Sequence, residues 1–227
     1  MYAYLKPLIE SFYQNTDPAE AEFMSKYMKN LFPYLGTKTP VRKELFAAFI
    51  KENGLPKMVE LKQITLDLWD QPEREFQYTA IGLLRKFTKK WNPDFIELFE
   101  KMIITKSWWD SVDGIAGWLV GEHFKRFPEL QEKYISNWRK SDNIWLRRTC
   151  ILFQLHYKEK TDVDLLFALI RENLNSKEFF INKAIGWALR EYSKTDAQAV
   201  IDFVEKTDLH PLSKREALKW LDNQGKI

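Results

Sequence analysis

Residues 147–160 read RRTCILFQLHYKEK, and residues 182–195 read NKAIGWALREYSKT. Laid over one another at an offset of 35, they pair Arg148 with Lys183, Cys150 with Ile185 and Tyr157 with Tyr192. Just upstream, Trp145 pairs with Phe180. Further back, residues 78–89, YTAIGLLRKFTK, fall in the same frame: Tyr78, Ala80, Ile81 and Phe87 take the places of Arg148, Cys150, Ile151 and Tyr157. A period in this range holds two helices and the turns between them. Such a unit cannot bury its apolar face alone, so the pattern predicts an all-α fold: a superhelical solenoid of HEAT-like helical repeats, with a concave side.

The rest of the chain carries the same signal. Ile181, Ala184, Ile185, Ala188, Leu189 and Tyr192 recur at intervals of three and four, as do Val112, Ile115, Ala116, Leu119 and Val120. Breaks are short and chemically marked: Thr39-Pro40, Leu55-Pro56, Asn92-Pro93, Phe127-Pro128, Ser141-Asp142-Asn143, Asn175-Ser176 and His210-Pro211. No stretch alternates apolar and polar residues long enough to make a strand. Roughly twelve to fourteen helices of ordinary length fit this punctuation. No linker interrupts it, so residues 1–227 are expected to be a single domain.

Composition narrows the class. The chain is 45% hydrophobic and 30% charged, the balance of a folded soluble protein. It has no apolar run of the roughly 18 residues that would span a bilayer, and its start, MYAYLKPLIESFY, does not have the form of a secretory signal. No membrane association and a cytoplasmic location are therefore expected. Cys150 is the only cysteine, which excludes an internal disulfide and a cysteine-based zinc cluster; His123, His156 and His210 are too scattered for a metal-ligand motif. No metal and no cofactor are expected. The net charge of +3 is too small to identify a nucleic-acid binder, so the question becomes whether cations gather on one face.

They do on the helix around residues 181–194. With Ile185 as the core direction, Lys183, Trp187, Arg190 and Lys194 all project to the opposite side. A tryptophan among cations marks a binding surface for nucleic acid or for another protein. The competing reading, in which Trp187 packs under a neighbouring repeat, has equal standing at this point. Arg148 holds the matching place one repeat earlier, in a helix apolar almost all round. An arginine there needs either an internal carboxylate or a phosphate.

Residues 105–118, TKSWWDSVDGIAGW, concentrate aromatic rings, carboxylates and glycines. Ser107 and Asp110 have the spacing of a capping box. Asp113 would lie a full turn inside the helix, where aspartate is unfavourable. Trp109, four residues earlier, shares its face at the edge of the apolar stripe. Gly114, Gly117 and Gly121 thin the helix and allow something to approach its backbone. A site and a structural Asp–Arg pair explain Asp113 equally well from pattern alone.

The segments TKSWWDSVD, SDNIWLRR, ILFQL, KEFFINKAIGWALREY and PLSKREA together resemble the AlkD-like DNA glycosylases, HEAT-like-repeat enzymes of DNA alkylation repair. EAEFMSKYMKN, LGTKTPVRK and LWDQPEREFQ extend the resemblance through the N-terminal part. It implies a superhelix whose concave basic face holds duplex DNA containing alkylated purines. The implied activity is hydrolysis of the N-glycosidic bond of N3- and N7-alkylated purines, with no cofactor, no lyase step and no flipping of the base, by a monomer. Carried across, it places Trp109, Asp113 and Trp187 around the deoxyribose of the lesion and Arg148 on the nearby DNA backbone. Tyr27, Lys43 and Arg190 fall in segments expected near DNA, and Lys183 shares the basic face of Arg190. The chain has Lys38 and Lys43 where the family pattern has Gln and Arg, and GIAGWLVGEH, residues 114–123, is less typical.

The residue types suit that chemistry. A cationic purine is already a good leaving group, and the sugar left behind acquires positive charge at C1′. A fixed carboxylate can stabilise that charge, and tryptophan faces can lie against it. The alternative is a non-catalytic HEAT-repeat binder of DNA or protein, which would use the same surface and leave Asp113 structural.

Overall fold

In a computed structural model of the chain, residues 2–226 are described. They form fourteen α-helices, three short 3₁₀ turns and one π-helical segment, with no strand among the described residues. The fold is all-α, built of helical repeats. The chain divides into two compact units, one running to Trp91 and the other from Asn92 onward.

The first unit contains α1 (Lys6–Gln14), α2 (Pro18–Tyr27), α3 (Thr39–Asn53), α4 (Leu61–Asp70) and α5 (Arg74–Arg85). Its core gathers Leu8, Phe12, Phe49, Leu68, Trp69, Phe76 and Leu84, and Phe12 stacks on Phe76 with ring centroids 5.3 Å apart. One charged group lies deep within it. Glu75, fully buried, accepts hydrogen bonds from the backbone N–H groups of Leu35, Gly36 and Thr37 at 2.9–3.2 Å. Those three residues precede α3 and have no helical partners of their own, so the carboxylate satisfies donors that would otherwise be buried unpaired. Burial pushes the Glu75 carboxyl above its ordinary 4.5, against the pull of those N–H groups. Lys38, where the family pattern has Gln, follows directly and pairs with Glu20 at 2.9 Å.

The second unit contains α6 (Phe95–Ile104), α7 (Trp109–Gly114), the π segment (Ile115–Val120), α8 (Gly121–Arg126), α9 (Pro128–Trp138), α10 (Ile144–Leu152), α11 (Val163–Arg171), α12 (Phe179–Tyr192), α13 (Ala197–Lys206) and α14 (Pro211–Asn223). Five of the starts carry a physical signal. Asn143, Asp162 and Asp196 accept from backbone N–H groups of the first turns of α10, α11 and α13, and Nδ1 of His210 does the same for α14. Prolines open α9 and α14, where the missing N–H costs nothing. Within the unit α10 packs beside α7 and the π segment, α12 beside α10 and α14 beside α12, while α9, α11 and α13 pack as the partner helices. Leu152, Leu166, Ile181, Ile185, Leu189, Val200, Phe203 and Ala217 form the shared core of the last three repeats.

The α7–π–α8 run is where the glycines act. A Cβ on Gly121 would stand 2.4 Å from the carbonyl oxygen of Phe153, and the Gly121 carbonyl accepts from the Tyr157 hydroxyl at 2.7 Å. Gly117 likewise faces His156. What approaches this backbone is the end of the next repeat of the same chain. Of the less typical residues 114–123, residues 115–120 form the π segment, in which Trp118 turns outward and stacks on His156 at 3.9 Å between centroids.

The Glu75 contacts generate a test. Glu75→Ala strands three buried N–H groups, and each unpaired donor costs about 1–3 kcal/mol. Chemical denaturation should show the variant destabilised by about 3 kcal/mol or more, and Glu75→Gln, which keeps an acceptor oxygen, should lose less.

Candidate active site

The approach to the site is set by backbone geometry. After α6 the chain passes through Lys106 at φ 48°, a left-handed conformation uncommon outside glycine, and then Trp108 in an extended conformation. The helix therefore begins at Trp109. This corrects the expected capping box. Trp108 is the N-cap, one residue later than the Ser107–Asp110 spacing requires, and no side chain caps this start. The Ser107 hydroxyl donates back to the carbonyl of Ile103, and Asp110 falls in the first turn, where a carboxylate suits the helix dipole.

One turn further in, Asp113 meets Arg148. The guanidinium is bidentate on the carboxylate: Nε donates to Oδ1 at 2.7 Å and Nη2 to Oδ2 at 2.9 Å. Nη1 donates to the carbonyl of Phe180. The Asp113 and Arg148 side chains are 15% and 5% exposed, so the pair is nearly out of water and the aspartate keeps a small exposed portion. Burial pushes the Asp113 carboxyl above its ordinary 3.8, and the Arg148 guanidinium pulls against it. Of the two partners the sequence left open for Arg148, the structure supplies the carboxylate. Three of its five N–H groups, at the least, are turned inward.

Rings brace this pair. Trp108, Trp145 and Phe180 pack mutually at 4.8–5.7 Å between centroids, and the Phe180 ring lies 6.0 Å from the guanidinium carbon of Arg148. Sequence reasoning did not assign these three residues to the site, although the 35-residue frame pairs Trp145 with Phe180. Trp109, half-buried at the head of α7, stands one turn before Asp113 on the same helix.

Helix α12 carries the other residues. Trp187 is half-buried and packs against the core of the last repeats. The packing is the one expected of a tryptophan under a neighbouring repeat, and it leaves part of the side chain accessible. Lys183 and Arg190 flank it on the same helix. Both are tied to Glu216 of α14, Lys183 at 3.0 Å and Arg190 at 2.9 Å. In the first unit, Tyr27 ends α2 and is 64% exposed, and Lys43 lies exposed in α3. The structure thus joins Asp113 to Arg148, and Lys183 to Arg190. Among the described residues there is no cluster of histidine, cysteine and carboxylates able to hold a metal. Among the described residues no helix is long and apolar enough to cross a membrane.

Comparison with known proteins fits this arrangement. The family model for DNA alkylation repair enzymes matches residues 8–221. No curated protein matches the chain. A solved structure described as a predicted DNA alkylation repair enzyme from Enterococcus faecalis is 34% identical in sequence, superposes with a TM-score of 0.84, and is matched over 91% of this chain and 96% of that one. With the family's own segments running from the first helix into the last, the chain belongs to the DNA alkylation repair enzymes.

Proposed function

We propose that this protein is a monofunctional DNA glycosylase that hydrolyses the N-glycosidic bond of cationic N3- and N7-alkylated purines in duplex DNA. The observation that carries the reading is the Asp113 carboxylate, nearly buried, fixed by a bidentate guanidinium and with 15% of its side chain still exposed.

The chemistry needs little more. The bonding pair of the glycosidic bond leaves with the alkylated base, which departs neutral because it began cationic. Positive charge builds at C1′ of the sugar. A carboxylate already oriented toward that charge stabilises it without reorganising. Water then bonds to C1′ and gives up one proton, to the carboxylate or to solvent. Arg148 acts first as the group that orients Asp113, and its remaining Nη hydrogens are what a phosphate of the bound strand would meet. Trp109 and Trp187 offer flat faces to the cationic base before the bond breaks and to the sugar as it gains charge. Tyr27, Lys43, Lys183 and Arg190 supply contacts to the backbone. No lysine stands at the carboxylate, so excision proceeds without a lyase step, and a half-buried aromatic site suits action without flipping the base. The working form is a monomer, in the cytoplasm.

A second reading draws on the same ion pair. Asp113 and Arg148 lie 35 positions apart, in equivalent places of adjacent repeats, so the pair is also a brace between helices. On that reading the protein binds DNA without cutting it.

Asp113→Asn separates the two. It keeps the shape of the side chain and one acceptor for Arg148 but removes the charge. Single-turnover release of 7-methylguanine from methylated duplex DNA should fall by about 10²–10³, the scale of losing one preorganised electrostatic group. Binding to unmodified duplex should hold or rise. The variant should melt at a lower temperature, because Arg148 loses its charged partner, yet remain folded at the assay temperature. Near-normal release by the folded variant would remove Asp113 from the chemistry, and loss of folding with activity would leave only the brace.

The pH profile gives an independent check. Only the ionised carboxylate stabilises a cation, so excision is lost as pH falls through the folded value of Asp113. That value stands above the ordinary 3.8 because burial opposes ionisation. The acid limb of the single-turnover rate should therefore lie above that of an exposed aspartate. It should be absent from the residual rate of Asp113→Asn.

A further inference from the structure

Lys183, Trp187 and Arg190 are spaced four and three residues apart, which puts them along one stripe of α12. The two cations lie two helical turns from each other, about 10.5 Å along the axis at 1.5 Å per residue. Left alone, such side chains would spread into solvent. Here their charged ends converge on a single carboxylate: Oε1 of Glu216 takes Lys183 at 3.0 Å and Oε2 takes Arg190 at 2.9 Å.

Glu216 reaches this place because of Gly186. A Cβ there would stand 2.5 Å from the Cβ of Glu216 and 2.9 Å from the carbonyl oxygen of Ser213, so α14 can lie against α12 at this level only over a glycine. The Ser213 hydroxyl, donating to the Asn182 carbonyl at 2.9 Å, pins the same approach. The Glu216 side chain therefore starts beside the backbone of Trp187's immediate neighbour and is 14% exposed. The Lys183 and Arg190 side chains stay 37% and 27% exposed. Each keeps donors that Glu216 does not use, three on an ammonium and five on a guanidinium before pairing. The trio carries a net charge of +1 and presents it outward.

We infer that Glu216 is a positioning residue for DNA: it draws Lys183 and Arg190 together beside Trp187, so that both cations meet one stretch of sugar–phosphate backbone in a fixed geometry. The inference rests on the glycosylase reading for its effect on rate, but not for its effect on binding. Glu216 trades affinity for order. A carboxylate among DNA-binding cations weakens attraction to phosphate, and what it returns is alignment of the backbone with the site that Trp187 flanks. Small losses of alignment are costly when the reacting atoms must be held in place.

Glu216→Gln and Glu216→Asp test this. Glutamine removes the charge and frees both cations. Binding to unmodified duplex should tighten, and the slope of log K against log salt should steepen by about one. Single-turnover excision of 7-methylguanine should nonetheless slow by about tenfold. Aspartate keeps the charge but is one methylene too short to bridge both cations. Its salt slope should match the wild type while its excision is slowed. A folded Glu216→Gln protein with wild-type slope and rate would overturn the inference. So would a Glu216→Asp protein that excises at the wild-type rate, which would leave Glu216 as a charge and nothing more. If Glu216→Gln does not fold, the aspartate variant decides alone. A wild-type protein that releases no 7-methylguanine would refute the glycosylase reading by itself. The salt slopes on unmodified duplex would still decide whether Glu216 governs the two cations.

Discussion

Each helix pair in the second unit is apolar on a face it cannot cover by itself, and the next pair along the chain covers it. This constraint sets the register. It places α10 beside α7, α12 beside α10 and α14 beside α12, and it brings residues 35 apart to the same height on adjacent helices. Asp113 and Arg148 meet at that spacing, and Trp145 and Phe180 pack at the same spacing. The polar centre is thus a by-product of apolar stacking. Once the repeats are in register, a carboxylate and a guanidinium at equivalent positions have little choice but to pair, because each would be buried alone otherwise.

That the pair is so nearly dry has two sides. An ion pair removed from water gives modest net stability, since desolvation offsets most of the attraction. It is nevertheless rigid, and rigidity is what a charge-stabilising group requires. The Trp108, Trp145 and Phe180 rings pack on one another beside Arg148, while the Asp113 side chain keeps a small exposed portion. The arrangement makes more sense as orientation of Asp113 than as reinforcement of the fold.

The helices were legible in the sequence because their signals are local: apolar recurrence, Asn or Asp caps, prolines at starts. That Asp113 is partly buried was legible too, from its place at the edge of the apolar stripe. What pairs with it was not settled, although the 35-residue frame that relates Arg148 to Lys183 also relates Asp113 to Arg148. The glycines announced a close approach, but whether a ligand or the next repeat fills the space depends on a neighbour that no local pattern names. Ser107 and Asp110 misled because the capping pattern is indifferent to where the preceding turn releases the chain, and here a left-handed Lys106 delays the helix start by one residue. Glu216 falls within PLSKREA, but no local pattern names its contacts, which come from lying opposite Gly186 across two helices.

The π segment between α7 and α8 carries a consequence for how such a helix can diverge among relatives. A π turn lodges an additional residue inside a continuous helix, and it shifts the angular phase of everything downstream while the axis runs on. Asp113 precedes it; Gly121, His123 and Phe124 follow it. The portion that faces Arg148 and the portion that packs against Phe153 and Tyr157 are therefore set to independent azimuths. A chain built this way can gain or lose one residue between Ile115 and Val120 to retune the packed end without rotating the carboxylate, so that chemistry and scaffold are free to drift separately along a single helix.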